Sequence, residues 1–173
     1  SEWFVGDVAS DDAVKGGQNL TDMADAYDIE NFKTVPSNGL LLDYYRAQYQ
    51  GISRCNFAIS YIPTLALDES MDEALRARYV AEVRFLRAYY YFRLVRMFGG
   101  VPLVDFIIDS SEDWKQPRAT AEEVYEFILS ELALAEADLY LKSAMTPEEL
   151  GRVTKGAAQA MLMKVNLYLK NYD

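Results

Sequence analysis

The apolar residues of this chain recur every three or four positions in four long stretches. This spacing places apolar side chains on one face of an α-helix. The pattern therefore predicts four long helices, over residues 40–65, 70–98, 120–139 and 155–172. Residues 1–38 are rich in Asp, Gly and Asn and lack a sustained period, with short helices predicted only at 10–13 and 22–27. Residues 101–108 read as a short extended segment.

Residues that begin and end helices stand at the predicted boundaries. Ser70–Glu73 and Thr120–Glu123 match the capping box, in which a hydroxyl and a Glu carboxylate satisfy free backbone donors. Gly99 and Gly100 can take left-handed angles, and Pro102 prevents the second helix from continuing. The remaining signals are Pro63 at the end of the first helix, Pro147 in a short helical turn over 146–149, and Thr154 before the last helix.

The second predicted helix carries large side chains on nearly every face. Its main stripe consists of Tyr79, Val83, Leu86, Tyr90 and Leu94, and Phe85, Tyr89 and Phe92 lie on other faces. A helix that is apolar almost all round must be covered almost all round. We therefore expect this helix in the middle of a helical stack.

Two of the helices share one spacing of small and large residues. Ala81, Phe85, Ala88 and Tyr91 match Ala158, Leu162, Val165 and Tyr168 after a shift of 77 residues. In the second helix of a tetratricopeptide repeat, the small residues of such a pattern let two helices approach, and the bulky residue fills the groove. The predicted fold is all-α, with tetratricopeptide-like helical hairpin repeats (an α-α superhelix) and long irregular loops.

The predicted organisation is a single domain over residues 1–173. Residues 1–38 form an irregular N-terminal segment, 40–98 the first helical hairpin, 99–119 a linker and 120–172 the second hairpin.

The charge pattern limits the possible partners. The net charge of −10 argues against nucleic acid and against an anionic membrane surface, because both need clustered Lys and Arg. No apolar run reaches the roughly 18 residues needed to cross a bilayer. Six arginines nevertheless lie between Arg76 and Arg96, and the next predicted helix carries six acidic residues and no basic one. Pairing between these two helices is expected, and the alternative is an anion-binding arginine surface.

The composition removes several kinds of catalytic and metal site. The chain has no histidine and one cysteine, which excludes an internal disulfide and an all-cysteine zinc site. Cys55 falls at helical spacing and is predicted to be a core residue, not a reactive thiol. Asp7, Asp11 and Asp12 lack the ligand ladder of a calcium loop, so backbone capping is the preferred role. No metal, cofactor or catalytic residue is predicted.

Five ordered motifs resemble the SusD/RagB family of outer-membrane nutrient-binding lipoproteins. The most recognisable is EVRFLRAYYY at residues 82–91, followed by FGGVPLV at 98–104. The other motifs are GDVASDD at 6–12, the series Tyr45, Tyr49, Ile52 and Asn56, RATAEEVYEFI at 118–128, and GRVTKGAA at 151–158. The family usually has Trp at the position of Tyr45.

The resemblance implies a function as well as a fold. It implies a non-catalytic protein on the outer surface of a Bacteroidetes-type cell, held by a lipidated cysteine that would precede Ser1. Such a protein binds oligosaccharides and delivers them to a TonB-dependent (SusC-like) transporter barrel in the outer membrane. Because family members are much longer, we expect this chain to be the N-terminal portion of a longer protein.

Aromatic rings and planar amides are the side chains that hold sugars. The aromatics at helical spacing are assigned to packing: Tyr79, Phe85, Tyr90, Tyr125, Phe127 and Tyr168. The loop aromatics Trp3, Tyr27, Phe32 and Trp114 lie among polar residues, and Trp114 is expected to pack the linker onto the helices. The resemblance implies that the segment from Tyr27 to Tyr45 contributes to the ligand face. The predicted glycan-binding residues are Tyr27, Asn31, Asn38 and Tyr44.

Two other functions stay open. A repeat scaffold can bind protein or peptide ligands on a concave surface, which includes a role in peptide uptake. A helical hydrolase would need two acids that face each other across a cleft. The pairs Glu122-Glu123 and Glu148-Glu149 are adjacent on one helix and cannot do so.

Overall fold

The computed structural model describes residues 2–172, and within them all regular structure is helical. The α-helices are α1 (Ala24–Glu30), α2 (Gly39–Tyr61), α3 (Glu73–Phe98), α4 (Ala121–Asp138) and α5 (Lys155–Leu169). Shorter turns are a π-helical turn at Phe4–Val8 and 3-10 turns at Ile62–Thr64, Lys142–Ala144 and Pro147–Glu149. The described residues contain two isolated β-bridges and no strand. The predicted all-α fold is confirmed.

The chain divides into two compact units, Ser1–Ala47 and Gln48–Asp173. In the first unit, α1 packs against the Phe4–Val8 turn, and Val8 and Ile29 are buried. In the second unit, α3 packs along α4 and α4 packs along α5. The boundary falls inside α2, and the single domain over 1–173 stays a prediction.

Small residues set the close helix contacts of the second unit. Ala81 of α3, Ala135 of α4 and Ala158 of α5 are buried in one apolar cluster, against which the Phe85 ring packs. The same logic applies between α2 and α3, because a Cβ on Gly51 would lie 2.5 Å from the Tyr90 ring. The small-and-large spacing in the sequence thus marks real helix contacts.

Helix α3 is covered on nearly all sides, as its pattern predicts. Its exposed residues are Glu73, Ala74, Leu86 and Arg96. The predicted stripe is only partly right, because Leu86 is exposed while Ala81 and Ala88 are buried. Side-chain size is therefore a poor guide to which face of this helix meets its neighbours.

The aromatic residues assigned to packing are partly buried, except that Tyr168 is exposed. Tyr91 packs edge-on against Phe127 with ring centroids 5.1 Å apart. The Phe92 ring lies 5.2 Å from that of Tyr168. Tyr168 is nevertheless 49% exposed, whereas its repeat counterpart Tyr91 is buried because α2 and α4 cover it from two sides.

The predicted helix starts are correct for α4 and α5 and wrong for α3. Thr120 and Glu123 form a complete capping box, and the Thr154 hydroxyl accepts from the Ala157 amide. Helix α3 instead starts after Asp72, whose carboxylate accepts from Leu75 N at 2.7 Å. Ser70 does not cap the helix, because its hydroxyl donates to Asp68 within the preceding turn.

Four other boundaries differ from the predictions. Helix α2 ends at Tyr61 instead of residue 65, and a 3-10 turn over Ile62–Thr64 follows it. Residues 10–13 are not helical, since Ser10 uses its hydroxyl to bind Asp7 O and Asp12 N. The helix predicted at 22–27 runs over Ala24–Glu30, and the last helix ends at Leu169 because Lys170 takes a left-handed φ of 60°.

Candidate functional site

The C-terminal end of α1 is closed by an aromatic residue in a left-handed conformation. Phe32 has φ of 54°, the Lys33 amide donates to Asp28 O at 2.8 Å, and the Phe32 amide donates to Ile29 O at 3.2 Å. These two bonds form a Schellman motif, whose left-handed position usually holds glycine. Phe32 is 79% exposed, so no packing offsets the backbone strain of this conformation.

Asn31 and Tyr27 lie beside this turn. The Asn31 side-chain amide donates to Tyr27 O at 2.9 Å, which fixes its orientation at the helix end. Asn31 is exposed and Tyr27 is partly exposed. The turn therefore combines two aromatic rings with a planar amide that reaches solvent.

Asn38 has a structural role at the start of α2. Its side chain is buried, donates to Asp25 O at 2.9 Å and accepts from Leu41 N at 3.1 Å. The Asp25 carboxylate in turn accepts from Gly39 N at 2.9 Å. Asn38 therefore joins the first turn of α1 to the first turn of α2.

Tyr44 is also buried, in the first unit. Its hydroxyl lies 3.4 Å from a carboxylate oxygen of Glu2. Of the four predicted contacts, Tyr27 and Asn31 come together at one end of α1, while Asn38 lies at the opposite end and Tyr44 on α2. Glycan contact by these residues stays a prediction, and only Tyr27 and Asn31 are accessible enough to contribute directly.

Two exposed aromatic features lie outside the predicted glycan-binding residues. Phe32 is predicted only to be a loop aromatic, although Asn followed by an aromatic at a helix end is a visible signal. Phe57 and Tyr61 are stacked with ring centroids 4.2 Å apart, and both are half-exposed on α2. Their i, i+4 spacing on one helix is the pattern that could have revealed them.

Trp114 does not pack the linker onto the helices, contrary to prediction. Its side chain is 77% exposed. Buried polar side chains hold the linker instead, through its backbone carbonyl groups. The Asn56 amide donates to Val104 O at 2.9 Å and to Phe106 O at 2.8 Å.

Two arginines of α3 pair with α4 as expected, while Arg76 and Arg78 pair with carboxylates elsewhere. Glu131 is the α4 partner: it binds both Arg84 and Arg87, and Arg87 and Glu131 are buried. Because both charges of the Arg87–Glu131 pair are removed from water, loss of one would leave the other uncompensated. This pairing weighs against an anion-binding arginine surface.

Arg78 is held in a second buried network. Its guanidinium binds Glu82 at 3.1 Å and also Glu149, and it lies 4.4 Å from the centre of the Tyr140 ring. A backbone bond from Thr146 and the Arg78 bond lower the pKa of the Glu149 carboxyl. The network fixes the turn before α5 to α3.

Cys55 and the carboxylates were the remaining candidates for reactive or metal-binding groups among the described residues. Cys55 is buried, and burial raises the pKa of its thiol to about 11, so the thiol is neutral at physiological pH. The described residues hold no group of three Cys, Asp or Glu side chains that could bind a metal ion. Among the described helices, none combines the length and hydropathy that a membrane span requires.

The helical hairpins define this protein as an α-helical repeat scaffold. Comparison with known proteins gives the family. A model of the SusD-like family, described as "Starch-binding associating with outer membrane", matches residues 2–167. The chain belongs to the SusD-like family.

Curated relatives are similar along most of this chain. SusD-like protein P2 of Formosa agariphila is 29% identical over 147 residues, which cover 84% of this chain and 27% of the relative. The SusD-like protein of Bacteroides ovatus is 28% identical over 155 residues, 88% of this chain and 27% of the relative. The chain spans about a quarter of the length of these relatives.

Solved structures share the fold. A laminarin-binding SusD-like protein superposes with a TM-score of 0.84 at 34% identity, over 96% of this chain and 34% of its own. Surface glycan-binding protein A from Bacteroides thetaiotaomicron, solved in complex with laminarihexaose, gives a TM-score of 0.80 at 26% identity over 97% of this chain and 33% of its own. These likenesses agree with the sequence resemblance in fold.

Proposed function

We propose that this chain is the N-terminal helical part of a protein that binds oligosaccharides on the cell surface without cleaving them. The observation that carries the proposal is the match to SusD-like proteins along nearly the whole chain, including a laminarin-binding relative and one bound to laminarihexaose. The ligands named for these relatives, laminarin and laminarihexaose, make a glucan oligosaccharide the proposed ligand class.

The C-terminal turn of α1 is the proposed glycan contact in this part of the protein. An aromatic ring offers an apolar face to the C–H groups of a sugar, and an amide can both donate to and accept from its hydroxyls. Phe32 and Tyr27 supply rings, and Asn31 supplies the amide. The exposed Phe32 in a strained conformation supports this role, because such strain is typically retained at functional positions.

Delivery to a TonB-dependent outer-membrane transporter is the second part of the proposal. The description of the family model, which associates its members with the outer membrane, supports a surface location. A lipid anchor preceding Ser1 would hold the protein there. In this scheme the protein supplies binding and positioning only, and hydrolysis belongs to other proteins.

Peptide capture is the second candidate function. An apolar groove of about 410 Å³ lies between α3 and α5, lined by Phe85, Leu86, Tyr89 and Met161 with Lys164 at its edge. Such a groove suits apolar side chains better than sugar hydroxyls.

Isothermal titration calorimetry on the full-length protein separates the two functions. Laminarihexaose, maltohexaose and a mixture of unstructured apolar peptides are titrated in parallel. The proposal expects saturable binding of an oligosaccharide, weakened about tenfold or more by Phe32→Ala and unchanged by Met163→Ala on α5. Binding of peptide alone, or release of new reducing ends during the titration, would overturn it.

A further inference from the structure

The segment between α1 and α2 is exposed along its whole length. Each of residues 31–37, which we call the α1–α2 segment, is exposed, and burial begins again at Asn38. The segment includes Asn31 and Phe32 of the proposed glycan contact. Packing contributes little to fixing an exposed segment. Its conformation therefore depends on how its two ends are held.

The first end of the segment is held by α1. The Schellman motif at Phe32 fixes the first residues of the segment to the end of this helix. Helix α1 has only seven residues, however, and an isolated helix of this length is not stable in water. It packs on one side against the Phe4–Val8 turn. The orientation of the turn at Phe32 therefore depends on the contacts that hold α1 within the first unit.

The second end of the segment is held by hydrogen bonds to the first turn of α1. Asn38 Nδ2 donates to Asp25 O at 2.9 Å, and the Asp25 carboxylate accepts from Gly39 N at 2.9 Å. We call these two bonds the Asn38–Asp25 link. Because Asn38 is only 1% exposed, water competes little for its bond. The link returns the chain from the end of α1 to the beginning of the same helix.

The α1–α2 segment is longer than the distance that it has to cover. Helix α1 rises roughly 10 Å from its first residue to its last, whereas seven extended residues span roughly 23–25 Å. The segment is therefore not held taut by its length. Asn38 N donates to Val35 O at 3.0 Å, which orders the last turn beside the link. Loss of the link would allow the segment, including Asn31 and Phe32, to adopt further conformations.

We propose that Asn38 and Asp25 are positioning residues for the glycan contact at the end of α1. This role rests on the proposed function, which supplies the contact at Phe32, and it includes no bond from either residue to the ligand. Asn38 is buried and its amide is already hydrogen-bonded within the protein. A segment that is ordered before binding loses less entropy when the oligosaccharide binds. The link thus raises affinity through the residues that it places.

A second hydrogen bond of Asn38 allows the link to be tested apart from helix stability. Asn38 Oδ1 accepts from Leu41 N at 3.1 Å, as the residue before the first turn of a helix commonly does. Serine caps helices as well as asparagine does, but its shorter side chain cannot also donate to Asp25 O. Asn38→Ser therefore keeps the cap of α2 and removes the side-chain bond of the link, whereas Asn38→Ala removes both.

Gly39→Ala disturbs the link from its other side. A Cβ at this position would lie 2.8 Å from Asp25 Oδ2, so the carboxylate must move away from Gly39 N. The variant removes no hydrogen-bonding group, and alanine has a higher helix propensity than glycine. We therefore expect weaker oligosaccharide binding without a matching fall in melting temperature.

The test is isothermal titration calorimetry of laminarihexaose and maltohexaose on the full-length protein. Asn38→Ser is expected to weaken binding about two- to tenfold and to make the entropy of binding less favourable. Thr154→Ala is the matched control, because it removes the cap of α5 in the second unit. The control is expected to lower the melting temperature and to leave oligosaccharide affinity unchanged.

The double variant Phe32→Ala/Asn38→Ser separates positioning from a general loss of stability. If the link acts through the contact, Asn38→Ser should weaken binding less in the Phe32→Ala background than in the wild type. A positioning role is excluded if Asn38→Ser leaves wild-type affinity unchanged, if its effect is equal in both backgrounds, or if Thr154→Ala weakens binding as much.

Phe32→Ala alone shows which proposal has failed. If it weakens binding and Asn38→Ser does not, the contact stands and the positioning role is lost. If it leaves the affinity of a binding-competent protein unchanged, the contact at the end of α1 is lost, and the positioning role with it. If the wild-type protein binds neither oligosaccharide, the proposed function itself fails.

Discussion

Replacement of Phe32 by glycine and by alanine separates backbone strain from ligand contact. Both variants remove the same aromatic ring from the end of α1, but only glycine relieves the left-handed conformation at φ of 54°. The ring is 79% exposed, so its removal costs little burial in either variant.

The expected difference in stability follows from the backbone. A left-handed conformation costs an L-residue about 1–2 kcal/mol, and glycine avoids this cost. Glycine also has more conformational entropy in the unfolded chain, which destabilises the folded state by roughly 0.5–1 kcal/mol and offsets part of the advantage. Phe32→Gly should therefore be more stable than Phe32→Ala by about 0.5–1 kcal/mol. In a chain of this size that difference raises the melting temperature by roughly 1–4 °C.

Thermal unfolding of the 173-residue chain and calorimetry on the full-length protein are the two assays. Both variants are expected to weaken oligosaccharide binding to the same extent, about tenfold, equivalent to about 1.4 kcal/mol. Wild-type affinity in both variants would show that the ring makes no ligand contact. A glycine variant no more stable than the alanine variant would refute the strain argument.

Three further substitutions test the scaffold. Glu131→Gln should lower the free energy of unfolding by about 3–5 kcal/mol, because a buried arginine keeps its charge and loses its partner; Glu126→Gln on the exposed face of α4 is the control for chemical denaturation. Gly51→Ala should cost about 1–3 kcal/mol, because the new Cβ meets a tyrosine ring of α3 at 2.5 Å. The matched variant Gly156→Ala places its Cβ in ordinary contact with the Thr154 hydroxyl, at 3.8 Å, and should be neutral or stabilising. Glu149→Gln should reduce the acid sensitivity of the chain: because folding lowers the pKa of this carboxyl, its contribution is present above the ordinary value of 4.5 and is lost as pH falls through the lower folded value.

Each scaffold prediction has a clear contrary result. A Glu131→Gln variant as stable as its control would mean that the ion pairs of Glu131 with Arg84 and Arg87 contribute no net stability. If the free energy of unfolding of Gly51→Ala equals that of the wild type, α2 and α3 can move apart without cost. Melting curves between pH 3 and 6 that coincide for wild type and Glu149→Gln would show that the contact of this carboxyl with α3 does not contribute to acid sensitivity.

Helix positions could be predicted from the sequence because periodicity and capping are local properties. Thr120 and Thr154 cap their helices as predicted, and α3 is covered nearly all round. Ser70 was misassigned because a second acceptor, Asp72, lies two residues nearer the first turn. Which of two neighbouring residues caps a helix depends on the conformation of the preceding turn. The apolar pattern of the helix itself carries no information about that turn.

The candidate site was less predictable, because exposure is a property of the whole packing. Asn38 and Tyr44 are residue types found in sugar sites. In the first unit, however, both side chains are buried, and the Asn38 amide is hydrogen-bonded within the protein. Trp114 reads as a packing residue in sequence and is exposed in the structure. The left-handed angle of Phe32, which singles it out, is invisible in a residue pattern that has no glycine at that position.

The most direct test of this account is a crystal structure of the full-length protein with the oligosaccharide that it binds most tightly. We expect one sugar ring to lie over the Phe32 side chain, with a hydroxyl within hydrogen-bonding distance of the Asn31 amide. An oligosaccharide bound elsewhere, with the end of α1 covered by another part of the chain, would contradict the account.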